Sequence, residues 1–522
     1  MKKLSWLLIL PVLVIASCGG QKSTPSSSVA PQESSSLSSS EEQSSSSAED
    51  KSSSALPSSS SAAPSSSSQA RESSSQAPSS SSQAPSASSS AKGDSSNSNN
   101  NSSSVKPAPE NVEIPITLNG YDTKVIYNDA FFNRPSYIFD KELALFSFGA
   151  AVCTSSKTSI LSFYSQATFT DVLVSDSYNI KPTDKTIGYS FASKETDYGK
   201  VILATIRGLN YGAEWASNLD IGASGNHAGF EAAANEFISA LEAYIMEYDL
   251  QFAKVLVAGY SRGGGVANVA ADLLFKKDDE QKLIADENFS FYTFEAPRGL
   301  AAPTSYNNVF NVVNSADIIP YFAPEQYGLY RCGTDIDVYD ADVDNIVKTI
   351  NENITLPTYT PNSTFPDEQT FIATLIEGLT NPNVPARNIS TRELFIQNIQ
   401  PTAQYAMKLF FSLKDTTVAL LKNDLSTMQQ SDFMTLINSG QDMHDFIVPY
   451  LELDGSEFDD EELLGHCNIV NEFIKQGPGT YLLVYFALYQ DLFMRVISMH
   501  YDYVDFALLS AFSAEFAVEA EQ

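Results

Sequence analysis

The feature that most constrains this chain is an apolar run that breaks at a glycine-flanked serine. Residues 255–274 read VLVAGYSRGGGVANVAADLL, so Ser261 lies between Gly259 and Gly263, and small residues with helical spacing follow. Glycines suit a tight turn from a buried strand into a helix, because such a turn leaves no room for side chains. The turn would expose the hydroxyl at a helix N-terminus, where N–H groups favour a negatively charged oxygen. The pattern predicts a nucleophilic serine, and a serine that only caps the helix is the alternative.

The segments around this turn alternate between strand and helix patterns. Strands, mostly continuous apolar runs, are predicted at 187–195, 201–208, 289–297 and 309–320. Residues 229–250 instead place apolar side chains at helical spacing. Continuous apolar strands that alternate with helices indicate an α/β fold, with a mostly parallel sheet covered by helices on both faces.

Two further segments flank this α/β pattern. VEIPITL (112–118) and YDTKVIY (121–127), joined by Asn119-Gly120, predict a β-hairpin in which Pro115 makes the first strand an edge. Past about residue 345 the pattern becomes helical, which predicts a helical insertion at about 346–495. Its predicted helices are 368–379, 391–414 with a capping box of Ser390 and Glu393, 432–440, 461–476 and 480–498.

The first 108 residues have the composition of an export signal and a spacer. Two lysines precede an apolar stretch too short for a permanent membrane helix, so 1–18 reads as a secretory signal peptide. Residues 19–108 are serine repeats with too few large apolar side chains to fold, which predicts a disordered linker. The ending Ile-Ala-Ser-Cys resembles the lipobox of bacterial lipoproteins. The resemblance implies lipidation of Cys18 and an extracytoplasmic position in the bacterial cell envelope, at the outer membrane or cell surface; ordinary secretory cleavage is the alternative.

The remaining residues, 109–522, are predicted to form the folded domain and carry the whole net charge of −32, since the first 108 residues hold seven Lys/Arg and seven Asp/Glu. Such an acidic surface repels phosphate backbones, which argues against nucleic-acid partners. Cys153, Cys332 and Cys467 allow either one disulfide and one thiol or three buried thiols. No Cys/His cluster has metal-ligand spacing, and we expect neither a metal nor a cofactor.

Four segments around Ser261 resemble, in the right order, those of the class 3 (fungal-type) lipases, an α/β-hydrolase family. TFEAPRGL is similar to their TFGxPRVG segment, and NVVNSADIIPYFAP to the segment that carries their acid. ATIRGLNYGAEWASNLD resembles their F-R-G-T oxyanion segment, and NHAGF at 226–230 their V-H-x-G-F helix start. Together the four segments cover roughly residues 190–345.

The resemblance implies Ser261 as nucleophile, Asp317 as the triad acid, and the backbone N–H groups of Leu209 and Arg262 as the oxyanion hole. Asp317 also fits the chain order serine, acid, histidine that this fold uses, although a solvated loop aspartate is the alternative. The sequence departs from the family at three places. Leu209 replaces Ser or Thr, Tyr260 and Arg262 replace the His and Leu beside the serine with an expected change of the pocket wall, and Glu295 replaces a glycine without an evident reason.

The base is the least determined member of the triad. The same chain order excludes His227, which precedes Ser261 and has an expected structural role, and leaves three candidates. His500 opens an apolar helix near the chain end, as in similar segments of bacterial relatives, and is preferred. His466 follows a glycine in a comparable setting and is the main alternative, with His444 third.

The sequence therefore predicts a lipid-anchored, extracytoplasmic serine hydrolase that cleaves carboxylic esters through an acyl-enzyme, with the helical insertion as a lid. Its expected partners are a lipid or other ester substrate, and a membrane only through the N-terminal anchor. A triacylglycerol lipase and a plant-wall acetyl or feruloyl esterase both fit. A non-catalytic surface or binding protein on a degenerate hydrolase scaffold is the rival from another class, and a peptidase or amidase with the same triad is a further alternative.

Overall fold

A seven-stranded sheet organises the part of the chain that the structure describes. In this computed structural model the described residues are 110–513 without 181–182, 184, 381–390, 429–431, 433–434, 437 and 477–489. The strands lie in chain order across the sheet as β3 Thr170–Val174, β4 Tyr189–Thr196, β5 Gly199–Ile206, β6 Lys254–Tyr260, β7 Phe289–Phe294, β8 Val309–Val313 and β9 Thr334–Asp337. β3, β4 and β5 pair antiparallel, and β5 to β9 pair parallel. The predicted mostly parallel α/β sheet is confirmed, with β3 and β9 as edge strands that were not predicted.

Helices cover both faces of this sheet, which explains why its strands are apolar runs. On β5, Ile202 and Ala204 pack against one face cluster, while Val201 and Leu203 pack against the other. The first face is covered by α3 (Ala228–Glu247) and α4 (Arg262–Phe275). The second is covered by α1 (Lys141–Cys153), α2 (Lys157–Gln166) and α13 (Asp502–Ala511). Because both sides of each central strand face a core, the strands do not alternate apolar and polar residues.

The predicted hairpin is present as β1 (Val112–Leu118) and β2 (Tyr121–Tyr127). Asn119 and Gly120 have φ values of 44° and 91°, which suit the two-residue turn that the sequence predicts. Its apolar side joins the core cluster of α1 and α2.

The helical block contains α5 (Val343–Lys348), α6 (Glu368–Thr380), α7 (Arg392–Asn398), α8 (Gln400–Ser412), α9 (Asp415–Thr427), α10 (Gly440–Asp454), α11 (Asp460–Gln476) and α12 (Gln490–Ser498). The single helix predicted at 391–414 is wrong: it divides at Ile399, and Pro401 stands in the first turn of α8, where its missing N–H has no partner to lose. Thr391 caps α7 by accepting from Leu394 N at 3.2 Å, instead of the predicted Ser390, which lies outside the described residues.

Other predictions for this block have mixed outcomes. The helices predicted at 368–379 and 461–476 are confirmed as α6 and α11. Residues 433, 434 and 437 of the 432–440 segment and residues 480–489 lie outside the described residues, so the predictions over them stay open. The remainder of the helix predicted at 480–498 is confirmed as α12. α9 and α10 were not predicted. In the described part of the chain, no helix combines the length and apolarity that a membrane span requires.

The three cysteines of the folded part are buried thiols. Cys153, Cys332 and Cys467 are all free, which decides between the two alternatives left by the sequence. Burial raises the pKa of the Cys153 thiol to about 12 and that of Cys467 to about 11. Thiols held in this protonated form are poor nucleophiles.

Candidate active site

Ser261 stands on a strained turn between β6 and α4. Its φ and ψ are 53° and −124°, a conformation that a residue with a side chain rarely adopts. Backbone hydrogen bonds hold this turn, since Ser261 N donates to Phe294 O at 2.8 Å and Ser261 O accepts from Gly265 N at 3.0 Å. The strain directs the hydroxyl away from the helix backbone and leaves it free to act as a nucleophile.

Two glycines allow the backbone of β5 to approach this turn. A Cβ at Gly208 would collide with the carbonyl oxygen of Tyr260, and one at Gly263 would collide with that of Ile206. The segment that follows β5 is therefore packed directly against the start of α4. The glycines are therefore explained by this close approach as well as by the turn. The approach also brings the backbone N–H groups after β5 near those at the start of α4.

The structure brings Ser261, His500 and Asp317 together in one hydrogen-bonded chain. His500 Nε2 lies 2.9 Å from Ser261 Oγ, and His500 Nδ1 lies 2.5 Å from Asp317 Oδ2. Asp317 is fully buried and its Oδ1 accepts from Ile319 N at 2.9 Å, while Ser261 is only 7% exposed. His500 stands between α12 and α13, where the sequence places it. A hydroxyl, an imidazole and a buried carboxylate in this order are the arrangement that activates a serine.

The other two candidates for the base lie elsewhere in the helical block. His466 on α11 stacks on Tyr405 at 4.2 Å and shares a hydrogen bond of 3.0 Å with Thr402. His444 on α10 has its Nε2 3.0 Å from an oxygen of Asp460. Both rings are occupied by contacts within the block, and no hydrogen bond joins either to Ser261 among the described residues.

His227, excluded as the base by chain order, is the N-cap of α3. Its Nδ1 accepts from Phe230 N at 3.4 Å, its Nε2 donates to Asn218 O at 3.0 Å, and its ring stacks on Phe230. Burial lowers the pKa of His227 to about 3, so the ring is neutral near pH 7. The structural role that the sequence predicted is confirmed.

The buried His227 gives a testable pH dependence of stability. As pH falls from 6.5 toward 3, His227 binds a proton in the unfolded chain but not in the folded state. The free energy of unfolding therefore has its full value above pH 6.5 and declines below it. In His227→Asn, which keeps a good N-cap, this loss should vanish. Urea unfolding at pH 6.5 and pH 5 should show wild type losing about 2 kcal/mol more than the variant. Equal losses in both proteins would contradict a neutral buried ring.

The predicted oxyanion residues flank the same turn. Arg262 is the first residue of α4, and Leu209 follows Gly208 at the contact described above. Their amides as oxyanion donors remain a prediction. The Tyr260 and Arg262 side chains are buried, at 0% and 2% exposure, and their effect on the pocket wall stays a prediction.

The Arg262 side chain links the start of α4 to the 3-10 helix that follows Leu209. Its Nη2 donates to Ser217 Oγ at 3.0 Å, and its Nη1 lies 3.9 Å from Glu214 Oε2. Glu214, fully buried in the 3-10 helix Gly212–Leu219, also pairs with Arg207. The Glu214 carboxylate, hydrogen-bonded to Arg207 and close to the charge of Arg262, ties the 3-10 helix to α4, and we expect this to hold the loop that carries Leu209.

Sequence reasoning missed two side chains that support His500. The Tyr260 ring stacks under the imidazole at 5.3 Å, and its hydroxyl donates to His500 O at 2.8 Å. Arg495 on α12 is 3% exposed and pairs through Nε with Glu368 Oε1 at 3.0 Å. An arginine in an apolar helix five residues before the histidine was a signal that could have been followed.

Removing this arginine should lower the stability of the fold. Arg495→Met leaves the buried Glu368 carboxylate without its cationic partner and with only the Tyr339 hydroxyl as a donor, so we expect the free energy of unfolding to fall by about 3 kcal/mol. The double variant with Glu368→Gln removes both charges and should recover most of that loss. Chemical denaturation of the three proteins checks this. A loss below about 0.5 kcal/mol in Arg495→Met would show that the pair does not hold α12.

The fold and these hydrogen bonds define a serine hydrolase of α/β-hydrolase architecture. Residues 203–327 match the family model described as lipase (class 3). This match confirms the resemblance that the sequence showed, and with it a carboxylic ester hydrolase. The matched segment contains Ser261 and Asp317 and ends well before His500.

Solved structures similar to this chain include fungal lipases. The Rhizomucor miehei triacylglyceride lipase is 18% identical with a TM-score of 0.29, and the match covers 38% of this chain and 80% of that one. Lipase II from Rhizopus niveus is 17% identical with a TM-score of 0.28, covering 38% and 81%. The lipase from Rhizopus microsporus var. chinensis is 21% identical with a TM-score of 0.27, covering 37% and 72%. No curated protein sequence matches the chain.

Proposed function

We propose that this protein is a lipid-anchored, extracytoplasmic serine hydrolase that cleaves carboxylic esters through an acyl-enzyme intermediate. The observation that carries the proposal is the buried chain of hydrogen bonds from Ser261 through His500 to Asp317. It stands at the carboxyl ends of parallel strands, where α/β folds place their reactive groups.

Each group has a defined task in the proposed reaction. His500 Nε2 takes the proton of Ser261 as Oγ attacks the ester carbonyl, and Asp317 stabilises the imidazolium and keeps the remaining proton on Nδ1. The amides of Leu209 and Arg262 donate to the oxyanion of the tetrahedral intermediate. His500 then protonates the leaving alcohol, and water attacks the acyl-serine by the same route in reverse. Since Leu209 has no hydroxyl, the hole relies on amides that Arg262 and Glu214 hold in place.

The helical block supplies an apolar cover for this site. α8 packs on the 3-10 helix beside the oxyanion loop, where Met407 joins Tyr211 and Trp215 in one apolar cluster. Arg392 on α7 donates to the backbone carbonyls of Gly222 and Asn226. With Ser261 only 7% exposed, substrate entry requires this cover to move, which is the behaviour of a lid. The cover is apolar and the surface of the domain is acidic. Both features favour neutral esters with an acyl chain and disfavour anionic substrates.

The N-terminal part of the proposal concerns location. A signal peptide at 1–18, lipidation at Cys18 and the serine-rich linker over 19–108 would tether the enzyme and let it reach substrates away from the membrane. Cys18→Ala should release the protein from the membrane fraction without changing its ester hydrolysis. Retention of that variant in the membrane would count against the anchor and leave the catalytic proposal intact.

The substrate class can be tested with one series of compounds. We would compare hydrolysis of p-nitrophenyl esters from acetate to palmitate by the full chain and by Ser261→Ala. Activity that vanishes in the variant supports the serine esterase, and an optimum at long chains supports a lipase over an acetyl or feruloyl esterase. Equal rates for both proteins on every ester would refute the proposal and favour a binding protein on a hydrolase scaffold.

A further inference from the structure

Glu295 combines two unfavourable features at one position next to the triad. It follows β7 with a φ of 49°, in the left-handed region where glycine is the easy residue and where the class 3 lipase pattern has one. Its carboxyl is also fully buried, at 0% exposure. Backbone strain and a buried acid both destabilise a fold, so their occurrence together points to a function rather than to packing.

The contacts of Glu295 lead directly to the turn that presents the triad acid. Its Oε1 accepts from Asn314 N at 2.8 Å. Asn314 Oδ1 in turn accepts from Ala316 N at 3.1 Å, and Asp317 N donates to Asn314 O at 2.8 Å. Asn314 Nδ2 also donates to Met499 O at 3.2 Å, in the residue before His500. One asparagine therefore links the acid turn to the histidine segment, and Glu295 holds that asparagine.

The surroundings of Glu295 favour its protonated form. Burial raises the pKa of this carboxyl well above its ordinary value, and the charges of Asp505 and Asp317 raise it further. Burial and the charge of Asp317 likewise raise the pKa of Asp505, which is 2.9 Å from the Tyr260 hydroxyl. The titratable groups that face Glu295 from the surrounding elements are Asp317, Tyr321, Tyr260, Asp505 and, beyond Asp317, His500.

We propose that Glu295 is a positioning residue of the triad, which acts as a neutral carboxylic acid. It holds the turn from Asn314 to Asp317 in register with His500, and it leaves Asp317 as the ionised carboxylate that faces the imidazole. A second negative charge at Glu295 would compete with Asp317 for the imidazolium and repel it. The inference rests on the proposed function, because a positioning role presupposes that the triad is catalytic.

Two variants separate this role from simple packing. Glu295→Gln keeps an acceptor for Asn314 N–H and carries no charge, so kcat should stay within about threefold of wild type. Glu295→Leu leaves that N–H without an acceptor, so kcat should fall on the order of tenfold while KM changes little. Recovery by Gln but not by Leu is the expected signature. Full kcat in the Leu variant would overturn the proposal.

The pH profile tests whether Glu295 is neutral in the active enzyme. If it is, the acid limb of kcat/KM, which reports the free imidazole of His500, should not move in Glu295→Gln. If Glu295 were ionised, removing its charge would lower the pKa of His500 and move the acid limb to lower pH by on the order of one unit. This shift would overturn the proposal. The pH profile of Glu295→Gln tests the proposal even if the Leu variant does not fold.

Thermal unfolding gives a readout that does not depend on hydrolysis. A raised carboxyl pKa in the folded state means that stability is lost as pH rises above the ordinary range of a glutamate, and Gln removes this loss. The Tm of Glu295→Gln minus that of wild type should therefore grow from pH 5 to pH 9. A constant difference would show an ionised Glu295. Absent hydrolysis with a growing difference would refute the proposed function but leave the neutral carboxyl standing.

Discussion

Ser261→Ala is expected to lower kcat for carboxylic esters on the order of 10⁵-fold, since in the proposed mechanism the Ser261 hydroxyl forms the acyl bond. The strained turn has no need of the hydroxyl, because Ser261 holds it through backbone N and O. Steady-state hydrolysis of the preferred p-nitrophenyl ester measures the effect, and unfolding should be almost unchanged.

A matched control separates loss of the nucleophile from loss of a buried serine. Ser147 on α1 is fully buried and its hydroxyl donates to Leu143 O at 2.7 Å. Ser147→Ala should keep kcat within about twofold, because its hydrogen bond lies within one helix and away from the site. If Ser261→Ala retained more than a tenth of the wild-type rate, the nucleophile would have to be another group.

His500→Ala is expected to lower kcat on the order of 10⁴-fold or more, whereas His466→Ala and His444→Ala should retain nearly full activity. The difference follows from the contacts, because the His500 ring bridges Ser261 and Asp317 and the other two rings bond within the helical block. The three alanine variants serve as mutual controls for removal of a largely buried imidazole.

Two outcomes for these variants would contradict the arrangement of the triad seen in the structure. A His466→Ala loss as large as that of His500→Ala, in a protein with unchanged unfolding, would mean that the helical block rearranges to bring another ring to Ser261. Activity that survives in His500→Ala would contradict the triad as assembled.

The strand and turn pattern was predictable because burial on both faces makes a strand visible in the sequence. The runs at β5, β6 and β7 are nearly continuous apolar segments, and the glycines around Ser261 reflect a close backbone approach. β3 and β9 escaped prediction for the opposite reason. Each lies at a sheet edge, is four or five residues long and carries polar, partly exposed residues.

The site was only partly predictable, because its members are far apart in the chain. His500 lies 239 residues from Ser261 and 183 from Asp317, and local sequence around His466 offers a similar helix context. Only tertiary packing distinguishes the two. Glu295 shows the same limit, since the sequence gives no reason for an acidic residue in place of a glycine until the structure places its carboxyl in the core.

Covalent capture of the serine tests the central claim most directly. We would treat the full chain with a fluorophosphonate and map the modified peptide by mass spectrometry in wild type, His500→Ala, His466→Ala and Ser261→Ala. If Ser261, His500 and Asp317 act as a triad, a single adduct should form on Ser261 in wild type and His466→Ala, and its formation should be slowed by orders of magnitude in His500→Ala. An adduct on another residue, or none in wild type, would contradict a Ser261–His500–Asp317 hydrolase.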